Sequence, residues 1–119
     1  MTRAALDPRV LRAAGWALLA VRSTRRQLAA GSFQDVRVPD PPALPARAGR
    51  GVHAVLRRLE PSCLERSLVL QRWLAAQGEP RTVVVGVSAP QDFTAHAWLE
   101  GEALPAAGPA YHEIARLAP

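Results

Sequence analysis

Lysine and asparagine are absent from the 119 residues, and cysteine, methionine and tyrosine occur once each. A single cysteine excludes an internal disulfide and a cysteine-rich metal centre, leaving either a buried small hydrophobe or a reactive thiol. None of the three histidines stands at metal-ligand spacing from another, and there is no H-x-x-x-H, so His53, His96 and His112 predict neither a zinc site nor any other bound cofactor. All 15 basic residues are arginine, and with 10 acids they leave a formal net charge of +5. That balance favours acidic or polar partners. Without a basic run or interleaved aromatics it does not select nucleic acid. The most apolar stretch near the start, Ala13 to Val21, is followed by Arg22, Ser23, Thr24, Arg25 and Arg26. It is under half of the roughly 20 residues a membrane span needs. No small-residue cleavage site follows it, so neither a membrane segment nor a signal peptide is expected, and the cytoplasm is the default location.

What is present fits one domain over residues 1–119, with hydrophobic residues at 49%, enough for one core. Residues 1–51 divide into a helix and a proline-rich segment. Asp7 before Pro8 is a helix start. Val10, Leu11, Ala14, Leu18, Val21, Gln27 and Leu28 make a loose helical stripe, which Gly31 ends. Phe33 to Gly51 contains Pro39, Pro41, Pro42 and Pro45 with no apolar period, and reads as an extended, semi-rigid linker. His53 to Leu59 predicts a short helix closed by Pro61.

The block from residue 52 to 119 carries stronger signals. Ser62-Cys63-Leu64-Glu65 is a capping box, in which the serine hydroxyl and the glutamate carboxylate each satisfy the other's backbone N–H. Leu64, Ser67, Leu68, Leu70, Trp73 and Leu74 give the helix that follows, running to Gln77, a broad apolar face, and Gly78 is its stop. Thr82 to Val87 is a β-branched strand, Ala89 to Asp92 a turn, and Phe93 to Glu100 a second strand. Gly101-Glu102 predicts a hairpin turn into a short third strand near Ala103 and Leu104. Tyr111 to Leu117 reads as one or two final helical turns. A helix followed by consecutive strands predicts an α+β fold, with the helix packed on a small antiparallel sheet.

Cys63 falls at the first position of its helix, where unpaired N–H groups and the helix dipole favour an anion. The thiolate is the nucleophile in thiol catalysis, and the same N–H groups can receive an oxyanion. A buried, inert cysteine is the alternative. His96 lies 33 positions later in a predicted strand, so the fold can bring it to the helix tip as a base, or bury it bonded to a backbone carbonyl. Trp98, on the same strand face, can roof a base or fill the core. Arg66, one turn after Cys63, can bind a substrate carboxylate or carbonyl, or form an ordinary salt bridge.

Ser62 to Leu70, Val85-Gly86-Val87 and Ala95-His96-Ala97-Trp98-Leu99-Glu100 together resemble the stand-alone leader peptidases of lasso-peptide biosynthesis. These are small cysteine proteases of the transglutaminase-like, papain-related superfamily. The resemblance spans residues 52–119, in order and with similar spacing. It implies Cys63 and His96 as catalytic residues, acting without a cofactor to cut the leader from a ribosomally made precursor. Three partners are implied as well: the precursor's leader peptide, a separate leader-binding protein of the recognition-element type, and an ATP-dependent cyclase that closes the freed core peptide. Neither nucleic acid nor a membrane is among the implied partners.

The sequence departs from the family where an aspartate should follow the histidine by about a dozen residues. That region reads Ala106-Ala107-Gly108, and after Asp92 the acids are Glu100, Glu102 and Glu113. Glu100 is four residues along the same strand from His96, about 13 Å away and out of contact. Glu102 would have to fold back from a turn. Glu113, carried by a final helix packed over the sheet, is the choice for the third member. A backbone carbonyl leaving a Cys–His dyad is the other solution. Two rivals accompany the peptidase reading: an acyl transferase on the same scaffold, and a non-catalytic peptide-binding subunit.

Overall fold

The computed structural model describes residues 7–88, 95–102 and 111–119. Three helices precede a sheet of three strands: α1 (Pro8–Ala30), α2 (Gly49–Leu59), α3 (Cys63–Ala76), then β1 (Val83–Val87), β2 (Ala95–Leu99) and β3 (His112–Leu117). This is an α+β fold with an antiparallel sheet in the order β2-β1-β3.

α1 starts where the sequence predicts, with the Asp7 carboxylate accepting the Arg9 N–H and Pro8 in the first turn. Its buried face is rotated from the predicted stripe and consists of Ala13, Trp16, Ala17, Ala20, Val21 and Thr24, while Leu11 stays 54% exposed. Small side chains let α2 and α3 approach the α1 backbone, and Trp16, absent from the predicted stripe, tilts against Trp73 of α3 with ring centroids 5.9 Å apart. Gln27, placed in that stripe by its spacing, is a polar clamp: its amide donates to the Arg37 carbonyl and accepts from the Arg37 N–H, both at 2.8 Å.

The proline-rich segment is irregular as expected, but it is packed. It contains 3₁₀ turns at Phe33–Asp35 and Ala46–Ala48, and Phe33, Val36, Val38 and Leu44 lie against the core. Trp16 Nε1 donates to Pro39 O at 3.0 Å, and Gln77 Nε2 to Leu44 O at 3.1 Å. These long-range bonds satisfy backbone carbonyls that extended chain cannot pair locally. α2 begins at Gly49, four residues before the predicted start at His53, because the Ala46–Ala48 turn feeds directly into it.

The capping box is formed in both directions at 3.2 and 3.0 Å, and Gly78, at φ +84°, follows the end of α3 in the left-handed region. The middle of α3 is enclosed nearly all round, with Ser67, Leu68, Val69, Leu70, Gln71 and Trp73 buried. Val83, Val85, Ala97 and Leu99 meet it from the inner face of the sheet. Gln71 ties the sheet to the helix, donating to Arg81 O at 2.9 Å and Leu117 O at 2.7 Å.

Tyr111 to Leu117 is not helical. Residues His112–Leu117 form an edge strand on β1, with Val83 opposite Leu117 and Val87 opposite His112. The helical reading rested on local pattern, and the unfilled edge of the β-branched β1 overrides it, since each residue added to the ladder satisfies backbone groups. The ladder shifts between Val85 and Gly86 so that Ile114 has no partner, and Ile114 is 58% exposed. The predicted turn at Ala89 to Asp92 and the short strand near Ala103 and Leu104 lie outside the described residues.

Candidate active site

α3 runs beside β2, an edge strand, and its first turn meets the strand's outward backbone groups. Cys63 Sγ accepts the Ala97 N–H at 3.3 Å, and Ser67 Oγ, one turn later on the same helix face, donates to Ala97 O at 3.4 Å. Both backbone groups of one edge-strand residue are thus held by two side chains of α3. Because Ala97 directly follows His96, the 3.3 Å bond keeps the sulfur within about 6 Å of the His96 Cα. The backbone of the histidine-bearing strand thus lies beside the cysteine at the edge of the sheet.

The helix tip that carries Cys63 is itself anchored. Arg25 of α1 donates from Nε to Glu65 Oε1 at 3.1 Å and from Nη2 to Leu59 O at 3.0 Å. It thereby joins the capping glutamate of α3 to the last turn of α2. Scattered arginines read as solvated surface in the sequence; Arg25 does otherwise, and its partner lies 40 residues away, beyond any local pattern.

Arg66 donates to Glu102 Oε2 at 3.3 Å, and Glu102 Oε1 accepts the Leu99 N–H at 2.9 Å. Both side chains line a groove of about 540 Å³ floored by Leu70, Trp73, Leu74 and Leu99, which His53 also borders. Burial first, then the charges of Arg66 and Arg57, hold the His53 imidazole below the usual histidine range.

His96 and Trp98 alternate with the buried Ala97 and Leu99, so they stand on the outer face of the sheet. There the His96 ring stacks on Trp98 and on Tyr111, with centroids 5.8 and 5.3 Å away. Glu113, expected on a helix over the sheet, is instead on β3, where its carboxylate accepts Arg116 Nε at 2.7 Å. Arg116 also donates to Glu100 Oε2 at 2.7 Å, and these bonds, Glu113's first, hold the guanidinium above its ordinary range. The segment Ala106-Ala107-Gly108 lies outside the described residues. Among the described residues no group of three or more His, Cys, Asp and Glu side chains is placed to hold a metal ion, and no helix is long and apolar enough to cross a membrane.

A cysteine on a capped helix tip against a histidine-bearing edge strand, followed by antiparallel strands, is the setting in which the family comparison belongs. Residues 6–117 match the family described as the transglutaminase-like superfamily. The chain belongs to that superfamily. No match was found among curated proteins or among solved structures. Superfamily membership fits thiol acyl-transfer chemistry in general, of the cysteine-peptidase or acyltransferase kind. The capped helix that begins at Cys63 and the strand that carries His96 are legible from Ser62-Cys63-Leu64-Glu65 and from the alternation of residues 93–100. Ser67 and Tyr111 were not singled out, because their partners come from other elements.

Proposed function

We propose that this transglutaminase-like protein is a thiol peptidase that removes the leader from a ribosomally made lasso-peptide precursor. It acts in the cytoplasm with a separate leader-binding protein, ahead of an ATP-dependent cyclase. The observation that carries the reading is the bond from the N–H of the residue after His96 to the Cys63 sulfur, at the tip of a capped helix. In this reading Cys63 attacks the scissile carbonyl while His96 takes the thiol proton, and the first-turn N–H groups of α3 hold the oxyanion. His96 then gives the proton to the leaving amine, and water, deprotonated by the same imidazole, hydrolyses the thioester. Arg66, at the mouth of the apolar groove, contacts the substrate's backbone carbonyls or a carboxylate. Trp98 covers the bound peptide next to His96.

Incubating the precursor with the protein, with and without the leader-binding partner, tests the reading by mass spectrometry. Cleavage is expected to be slow alone and roughly a hundredfold faster with the partner, which supplies effective concentration. It should vanish in Cys63→Ala. Full cleavage by Cys63→Ala would sink the proposal.

The superfamily match equally supports an acyltransferase, in which an amine replaces water at the thioester; added amine would then divert the acyl group into a new amide. The absence of Asp and Asn after Asp92 favours a non-catalytic peptide-binding subunit instead. That reading predicts leader binding with no turnover even when the partner is present.

A further inference from the structure

We infer that aromatic stacking, not a carboxylate, orients His96, with Tyr111 and Gly86 as positioning residues beside Trp98. The inference rests on the proposed Cys63–His96 pair and names what holds its base. The three rings form a closed set, with His96–Trp98, His96–Tyr111 and Trp98–Tyr111 centroids at 5.8, 5.3 and 5.9 Å. The His96 plane is tilted only 21° from Trp98 and 29° from Tyr111. These separations lie in the attractive range for offset rings.

Trp98 reaches His96 along its own strand. Tyr111 comes from the residue just before β3, two strands away, and must cross β1 to do so. The residue of β1 between them is Gly86, opposite His96 on one side and Glu113 on the other. A Cβ on Gly86 would lie 3.0 Å from the Trp98 ring, 3.1 Å from Tyr111 Cβ and 3.2 Å from His112 O. Gly86 has no positive φ, so space rather than backbone freedom explains a glycine in an otherwise all-valine strand. The irregular register at Val85/Gly86 also belongs to this arrangement, since a bulge redirects the side chains beside it.

The acids downstream of His96 are occupied elsewhere. Glu102 holds the Leu99 N–H and Arg66, while Glu100 and Glu113 both hold Arg116. Two mutually touching aromatic neighbours, packed together against the imidazole, restrict its rotation and cover part of its surface, which supplies the orienting part of what a carboxylate would do. The tyrosine ring is what matters, and its hydroxyl is dispensable.

Iodoacetamide labelling of Cys63 across pH, together with the NMR shifts of the His96 ring protons, tests this in the full chain. Tyr111→Phe should match the parent in both. Tyr111→Leu should slow labelling at neutral pH at least fivefold, toward the rate of His96→Ala, and move the His96 ring protons downfield as the ring current is lost. Gly86→Val should do the same by taking the space. Parental labelling in Tyr111→Leu would overturn the inference, and so would a tenfold loss in Glu113→Gln with unchanged His96 shifts. Equal labelling of the parent and His96→Ala would instead overturn the thiol–imidazole pair, while ring-current shifts on His96 would still report the stack.

Discussion

The two faces of the sheet are built on different principles. The inner face, Val83, Val85, Ala97 and Leu99, is apolar and closed by α3, and its stability is that of a packed core. The outer face carries His96, Trp98 and Tyr111 beside the Glu100–Arg116–Glu113 ion cluster, with His96 and Trp98 half-buried and the ionic groups largely exposed. Substitutions inside should therefore act on folding, and substitutions outside on the orientation of one imidazole. Ala97 joins the two: its side chain is in the core, while its N–H and C=O hold Cys63 and Ser67.

Four measurements sharpen or break that contrast. The largest effect belongs to the inner side. Leu68, 4% exposed on α3, should cost about 2–5 kcal/mol of unfolding free energy when replaced by alanine, read in urea melts. A loss under about 1 kcal/mol would mean that the core relaxes far more than its packing implies. At the junction, Ser62→Ala removes one bond of the capping box and should cost about 1 kcal/mol. It should also slow iodoacetamide labelling of Cys63, because the helix tip that presents the thiol frays. Unchanged labelling would separate the cap from the nucleophile.

On the outer side, Glu113→Gln should leave thermal stability within about 0.5 kcal/mol, as exposed ion pairs do. It should also lower cleavage by less than threefold if stacking orients His96. A tenfold loss, about 1.4 kcal/mol of barrier, would return the orienting role to the carboxylate.

The smallest effect is a pH dependence at His53. A histidine held below its ordinary range binds fewer protons folded than unfolded, so stability rises with pH through that range and falls on acidification. Between pH 7 and 5 the melting temperature should fall slightly more in the parent than in His53→Gln. A smaller fall in the parent would reverse the assigned sign.

The elements best read in advance were those whose signal is short. Asp7 before Pro8, the Ser62–Glu65 box and the β-branched run of β1 depend on neighbours within four or five residues, and each formed near its predicted place. The readings that shifted needed distant partners. The α1 stripe rotated because Trp16 found Trp73, and the proline-rich segment became packed because Trp16 and Gln77 bond its carbonyls. The capped cysteine and strand histidine were visible as types and spacings. The bond that ties the cysteine to the histidine-bearing strand comes from Ala97 and the edge position of β2.

Sequence by itself determined the capped helix behind Cys63, the valine strand and the broad α+β class, because hydrogen bonding within a turn and side-chain branching act locally. Tertiary structure alone decided that residues 112–117 are strand rather than helix, that Arg25 braces the helix tip through Glu65, and that Tyr111 crosses Gly86 to reach His96. The physical reason is that an edge of β1 with unpaired backbone groups, an α1 arginine beside the α3 cap and an open space above a glycine exist only after distant segments have docked. The final segment's weak helical pattern then yields to a ladder of backbone hydrogen bonds.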